Sequence, residues 1–343
     1  MNLRELSRHL GLSQTTVSRA LGGYPEVNHR TRERVVEAAR ALGYSPNRSA
    51  RRLASGKAGA IGMVLPLPAG HFADPFFLEL MIGIGERLES EDLDLVVTAA
   101  AAGEAEIAAY RRLVGERRVD ALIVARTRSA DPRLTMLREA GAAFVALGRS
   151  DPPLDYAYLD VDAENAFAEA CAALVGLGHR RIALINAPAE LHLARLRRRG
   201  YADALAAAGI AADPALVVEA DMTEADGARA AEALRRLADP PTAVLTANDP
   251  MAIGALRAFK GAGLRVPDDV SVIGYDDLPV APLTEPPLTT LRQPVREAGS
   301  RLAEMVLARL AGEAAEALQE IWPARLVPRG SHGPAPARAA APG

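Results

Sequence analysis

The sequence predicts an α/β protein: a small all-helical head followed by a two-lobed core built on parallel sheets. Three observations carry this. Residues 1–57 contain three amphipathic stretches broken by glycines. From Ala60 onward, short apolar runs alternate with amphipathic helical stretches, and the series starts afresh near Arg181. Strand–helix alternation specifies parallel strands covered on both faces, and two such series specify two lobes.

In the head, Leu3, Leu6 and Leu10 fall at i, i+3 and i+7, the apolar stripe of one helix. Gly11 follows, where a left-handed residue can end that helix. Ser13 is placed to cap a second helix. Its Val17 and Leu21 face inward, and Gln14, Thr15, Thr16, Ser18 and Arg19 face outward before Gly22-Gly23 ends it. A third helix is expected from Thr31, taken as its cap, with Val35, Val36, Ala39 and Leu42 inward and Gly43 as its stop. Such a layout is a helix-turn-helix, whose second helix enters the DNA major groove. Arg19 can pair with guanine, Gln14 with adenine, and a threonine methyl can touch thymine. The charge agrees. Residues 1–57 hold ten Arg and one Lys against four Glu, a net +7, while the whole chain is −3, which leaves −10 on the remainder. A basic head on an acidic body is the electrostatic footprint of a DNA-binding module.

In the core, the first series of strands is Ile61–Leu65, Leu93–Val97, Ala121–Val124 and Phe144–Leu147, with helices at 76–90 and 104–115. The second is Ile182–Ile185, Leu216–Val218, Ala243–Leu245 and Val270–Ile273. Ile321–Val327 reads as a strand running on into Pro328-Arg329-Gly330-Ser331. Although Leu326–Ser331 has the order of a protease recognition site, this continuity marks it as a native strand end. Ligands of such sheets bind beyond the carboxyl ends of the strands, so two facing lobes place the site in the cleft between them.

Polar residues at strand ends are the ligand candidates. Asp74-Pro75-Phe76-Phe77 offers a carboxylate beside aromatic faces, as a sugar needs, although Asp74 can equally cap a helix and the Phe pair can face the core. Asn248-Asp249 and Asp276-Asp277 each follow a strand, and Arg126 follows Val124. A guanidinium in Arg195–Arg199 can clamp vicinal hydroxyls.

Other function classes find little support. There is no phosphate-cradling glycine loop, so no nucleotide cofactor is expected. The six His and the single Cys show no metal-ligand spacing, and no Ser/His/Asp set declares itself, so neither metal nor catalysis is expected. No apolar run approaches ~18 residues, and the amphipathic start is not that of a secretory signal, so no membrane span or export is expected. Cys171 has no partner for an internal disulfide, is expected as a small core residue, and suits a reducing cytoplasm. The Pro/Ala/Gly-rich stretch 332–343 is expected to be disordered.

Leu12–Leu21, Thr31–Val35, Leu42–Asn47 and the Arg/Leu/Ala run after it resemble the lactose-repressor/galactose-repressor (LacI/GalR) family of bacterial regulators. Ser7, where Ala is usual, and Gly22-Gly23, where Asn-Gly is common, are small departures. The resemblance implies a helix-turn-helix domain over 1–46 and a hinge over 47–58. A periplasmic-binding-protein-like effector and dimerisation core spans 59–331, with a tail beyond it. It puts Gln14, Thr15 and Arg19 on bases and Thr16 and Ser18 nearer phosphates, with Ser13, Asn28, Asn47, Arg48 and Ala50 also on the DNA side. It makes Leu53 an apolar wedge that kinks the operator in the minor groove. In the core it marks Asn248 and Asp276 as hydroxyl-binding positions and Arg197 as the ligand arginine, beside Asp74, Phe76, Phe77 and Arg126. It also implies three crossings between lobes, the chain returning to the first after about Pro287. The function it implies is a cytoplasmic, homodimeric repressor bound to a pseudo-palindromic double-stranded operator. A sugar in the cleft, an α-glucoside or another oligosaccharide, would change its DNA affinity. The alternatives are a purine- or nucleoside-responsive member of the family and a sugar-transport binding protein on the same core; the basic head argues against the second.

Overall fold

The computed structural model describes residues 1–22, 24–44, 57–66, 75–151 and 155–337. The chain divides into two compact units, Met1–Gly59 and Ala60–Gly343.

In the first unit, α1 (Leu3–Leu10) opens with a reciprocal cap: the Asn2 side chain accepts from the Glu5 N–H and the Glu5 carboxylate from the Asn2 N–H, both at 3.0 Å. Gly11, at φ 67°, ends it in the left-handed conformation expected. The second helix, α2 (Gln14–Leu21), is capped by Ser13, whose Oγ accepts from the Thr16 N–H at 3.0 Å. The third, α3 (His29–Ala41), begins earlier than expected. Its cap is Asn28 rather than Thr31, because Asn28 Oδ1 accepts the Thr31 N–H at 2.8 Å and Thr31 lies inside the first turn. Leu6, Val17, Ala20, Val27, Val35 and Ala39 fill the core. Ala20, not Leu21, is the fully buried partner of Val17; Leu21 packs at the margin.

The second unit holds two six-stranded sheets. The first has strands β1 (Ala60–Pro66), β2 (Asp94–Ala100), β3 (Ala121–Val124), β4 (Phe144–Leu147), β5 (Ala157–Val161) and β11 (Gln319–Trp322), in the order β11-β5-β4-β3-β1-β2 and all parallel. The second has β6 (Ile182–Asn186), β7 (Val217–Glu219), β8 (Ala243–Thr246), β9 (Ser271–Asp276), β10 (Thr289–Arg292) and β12 (Arg325–Val327), in the order β12-β10-β9-β8-β6-β7. Here the expectation of wholly parallel sheets fails at one edge, where β12 runs antiparallel to β10. Strands β5 and β10 escape the sequence pattern because Asp160, Thr289 and Thr290 interrupt runs of only a few residues.

The helices that cover these sheets are α4 (Pro75–Glu89), α5 (Glu104–Gly115) and α6 (Pro132–Glu139) early in the chain, then α7 (Ala163–Gly176), α8 (His192–Ala207), α9 (Glu224–Arg235), α10 (Asp249–Gly261) and α11 (Val295–Leu310). The chain crosses from the first sheet to the second after β5, returns between β10 and α11, and crosses again between β11 and β12. The return therefore comes at Gln293-Pro294 rather than at Pro287, because β10 still pairs with β9. Helices α7 and α8 pack backbone to backbone: a Cβ on Gly200 would lie 1.9 Å from the Glu164 carbonyl oxygen, so no other residue fits there. Cys171 is fully buried on α7, and burial pushes its thiol up to about 12.

The expectation of a disordered tail over 332–343 is corrected in its first half, which continues from a firmly held Ser331. Ser331 is fully buried, with its Oγ donating to Val272 O at 2.6 Å and accepting from the Thr289 N–H at 2.7 Å. Gly333 N–H donates to Ser271 Oγ at 3.0 Å, and Ala335 N–H donates to Leu177 O at 2.9 Å. Backbone pairing onto the second lobe, which composition does not reveal, orders the chain to residue 337; residues 338–343 lie outside the described residues. Arg329 also belongs to the fold, since its guanidinium reaches Asp277 Oδ1 at 2.6 Å and Leu288 O at 2.8 Å.

Candidate functional site

Helix α2 carries the expected outward face. Gln14, Thr15, Ser18 and Arg19 are exposed, while Val17 and Ala20 anchor the opposite face. Ser13 and Thr16 are more committed: their hydroxyls share a 2.8 Å hydrogen bond on top of the cap. Asn28 is exposed, but its side-chain oxygen is taken by the α3 cap. Arg32 reaches back to the Tyr24 and Val27 carbonyls at 2.7 and 3.3 Å, which fixes the turn between α2 and α3. The helix face is thus held by its surroundings while its outward side chains stay in solvent. Asn47, Arg48, Ala50 and Leu53 lie outside the described residues.

In the second unit a cavity of about 720 Å³, its open mouth included, lies between the carboxyl ends of both sheets. The first lobe lines it with Phe76 from α4, Arg126 after β3, Arg149 after β4 and Asp160 on β5. The second lobe contributes His192 and Arg197 from α8, Asn248 after β8, and Tyr275 and Asp276 on β9. Gln293, at the return crossing, lines it too.

Arg197 is the most constrained of these groups. It is 4% exposed, and its guanidinium carbon lies 4.4 Å from the Tyr275 ring centre and 5.6 Å from that of Phe167. The two rings, 5.6 Å apart, lie together beside the guanidinium and hold the cation in direction. Its Nε and Nη1 are buried with no hydrogen-bond partner among the described residues. Unpaired buried donors cost free energy unless an acceptor meets them.

The remaining groups are fixed by pairing. Arg149 Nε donates to Asp160 Oδ2 at 2.6 Å, and Asp160 Oδ1 accepts the Val161 N–H at 2.9 Å. Asn248 caps α10 through the Met251 N–H at 3.0 Å and donates to Met222 O at 2.8 Å. Asp276 adopts φ 120°, a backbone conformation that side chains rarely take, and accepts from Gln293 Nε2. Asp249 and Asp277, the second members of their pairs, belong to the scaffold. Asp249 is fully buried, accepts from Thr290 Oγ1 at 2.6 Å and from the Leu278 N–H at 2.8 Å, and burial pushes its carboxyl up to about 7. Asp277 sits between Arg292 and Arg329.

Residues 2–47 match the model of bacterial regulatory proteins of the lacI family, and residues 171–332 match a periplasmic binding protein-like domain. The HTH-type transcriptional regulator AglR of Rhizobium meliloti (strain 1021) is 45% identical over 348 residues, 100% of this chain and 97% of its own. The chain belongs to the LacI family.

Solved relatives extend the likeness to the fold. The transcriptional regulator CelR in complex with cellobiose superposes with a TM-score of 0.73 at 33% identity, over 96% of this chain and 99% of that one. The lac repressor dimer bound to operator and the anti-inducer ONPF gives 0.83 at 30% identity, over 96% and 98%. This LacI-family protein is therefore a helix-turn-helix transcriptional regulator with a periplasmic-binding-protein-like core. Among the described residues no helix is long and apolar enough to cross a membrane, and no group of His, Cys, Asp or Glu is arranged to hold a metal ion.

Of the ligand candidates read from the sequence, the fold brings Phe76, Arg126, Arg197, Asn248 and Asp276 to one cavity. Phe77 is corrected: it is 7% exposed and packs in the first-lobe core, where its ring supports Arg126 from 4.9 Å. The two rings meet edge to face at 5.3 Å, so consecutive helix positions divide lining from packing. Asp74 lies outside the described residues. Sequence reasoning missed Arg149, Asp160, His192, Tyr275 and Gln293. Arg149 follows β4 as Arg126 follows β3, so the strand-end rule could have found it; Asp160 lies in a strand that the pattern did not reveal.

Proposed function

We propose that this regulator is a homodimeric repressor whose two α2 helices read the half-sites of a pseudo-palindromic operator, and whose cleft binds a sugar that changes operator affinity. The observation that carries the effector reading is Arg197, a cation on the cavity wall packed against the Tyr275 and Phe167 rings, with two buried nitrogens that have no hydrogen-bond partner among the described residues. Donors on an oriented guanidinium, carboxylate acceptors at Asp160 and Asp276, and the apolar ring of Phe76 are the groups a polyhydroxylated ring requires. The CelR–cellobiose complex supports the choice of a sugar, and the operator-bound lac repressor dimer supports the assembly.

On the DNA side, Gln14, Thr15 and Arg19 are assigned to base edges, and Ser13, Thr16, Ser18 and Asn28 to the backbone side. Asn47, Arg48 and Ala50 are assigned to a hinge segment whose Leu53 wedges into the minor groove. The domain limits that go with this reading are 1–46, 47–58 and 59–331. Such a protein works in the cytoplasm, beside the chromosome it reads, and its cleft binds without catalysing. A sugar shifts operator affinity only to the extent that it binds the two lobe arrangements unequally.

Fluorescence anisotropy with DNA from upstream of its own gene, with and without a panel of sugars, tests this. Specific binding that one sugar changes by about fivefold or more is expected. Binding no tighter than to random DNA, or specific binding that no sugar alters, would sink the proposal.

A further inference from the structure

His192 stands at the first position of α8, on the wall of the cavity. Its Nδ1 is buried without a hydrogen-bond partner among the described residues. Its main chain, in contrast, is tied to the opposite lobe, because the His192 N–H donates to Thr127 O at 3.0 Å. The neighbouring contacts cross the cleft as well: Ser129 N–H donates to Glu190 O at 3.1 Å, Arg128 and Leu191 form an antiparallel bridge, and Arg195 pairs with Asp151 at 2.8 Å. The loop that presents the imidazole is therefore the loop that joins the lobes. These contacts set the imidazole beside Arg149 and Asp160 of the first lobe.

We infer that His192 is a specificity-determining effector contact, its Nδ1 hydrogen-bonding a sugar hydroxyl in the cleft. The inference rests on the sugar reading of the cleft. A neutral imidazole offers one donor and one acceptor; with Nδ1 as the acceptor, a sugar hydroxyl donates to it and satisfies a group that is otherwise buried unpaired, a bond that protonation of Nδ1 abolishes. The charged groups around the ring are Arg149, Asp151 and Asp160 from the first lobe and Arg195 from its own helix. The two carboxylates favour the imidazolium and the two arginines oppose it, while burial, the largest influence, holds the imidazole below its ordinary range. The neutral form is thus the one that meets a ligand at neutral pH.

Calorimetric titration of neutral mono-, di- and trisaccharides, maltose, melibiose, cellobiose and raffinose among them, into the full-length wild type, His192→Phe and His192→Asn tests the inference. The sugar that binds the wild type is expected to bind His192→Phe about tenfold more weakly. His192→Asn, whose amide reaches the Nδ1 position, is expected to stay within about threefold of the wild type. Wild-type affinity should fall as the pH is lowered past the imidazole range, and the Asn variant should lose that dependence even if the Phe variant folds poorly. Equal sugar affinity in wild type and His192→Phe, or the same pH profile in wild type and His192→Asn, would overturn the inference and leave the sugar reading intact. No sugar binding to the wild type would overturn both.

Discussion

The outward face of α2 and the inward face of the cleft differ in how far their polar groups are committed before a partner arrives. On α2, Gln14, Thr15, Ser18 and Arg19 are exposed. In the cleft, Arg197 is packed against two rings, Arg149 is paired with Asp160, and both ends of the Asn248 amide are engaged. A DNA groove presents a long, regular array of partners, so an exposed helix with mobile side chains suffices and electrostatics supplies much of the affinity. A small ligand offers few contacts, so each must be oriented beforehand for the affinity to survive the entropy of binding. The difference predicts where single substitutions are costly.

The largest effect belongs to Arg197. Arg197→Ala removes the oriented donors, so sugar affinity should drop about a hundredfold by calorimetry while sugar-free operator binding stays unchanged. A variant that kept its sugar affinity would place the ligand elsewhere. Next comes Leu53→Ala, which should weaken operator binding about tenfold and binding to random DNA hardly at all, because only a kinked site needs the wedge. Equal loss on both DNAs would reject that role. The smallest concerns the boundary between scaffold and reader. Ser13→Ala should cost the head about 1 kcal/mol in a melting experiment through loss of the α2 cap. Ser13→Asp should keep the cap and still weaken DNA binding, if Ser13 faces phosphate. Wild-type DNA affinity in the Asp variant would confine Ser13 to capping.

The same contrast explains what the sequence reveals. The head is legible because helical periodicity is local: Leu3, Leu6, Leu10 and Val17 mark their faces within a few residues, and Gly11 and Ser13 punctuate them. Its errors are equally local, with the α3 cap at Asn28 rather than Thr31 and burial at Ala20 rather than Leu21. The two-lobed core is legible for the same reason wherever strands are continuous apolar runs, as at Ala121–Val124. The cleft is harder, because it gathers Phe76, Asp160, His192, Asn248 and Gln293 from segments far apart in the chain. Nothing in the local pattern shows that Phe76 lines it while Phe77 supports Arg126 from the core. Nor does composition show that the stretch after Ser331 pairs with Ser271 and Leu177.

A regulator whose cleft ligand controls DNA binding holds cleft and operator in one free-energy balance. Linkage makes this testable from both sides: the factor by which a sugar changes operator affinity must equal the factor by which operator changes sugar affinity. The direct measurement is the affinity of the active sugar for the free regulator and for the regulator saturated with operator DNA. Two different values are expected, with a ratio that matches the sugar's effect on DNA binding. Identical sugar affinities in the two states would contradict it.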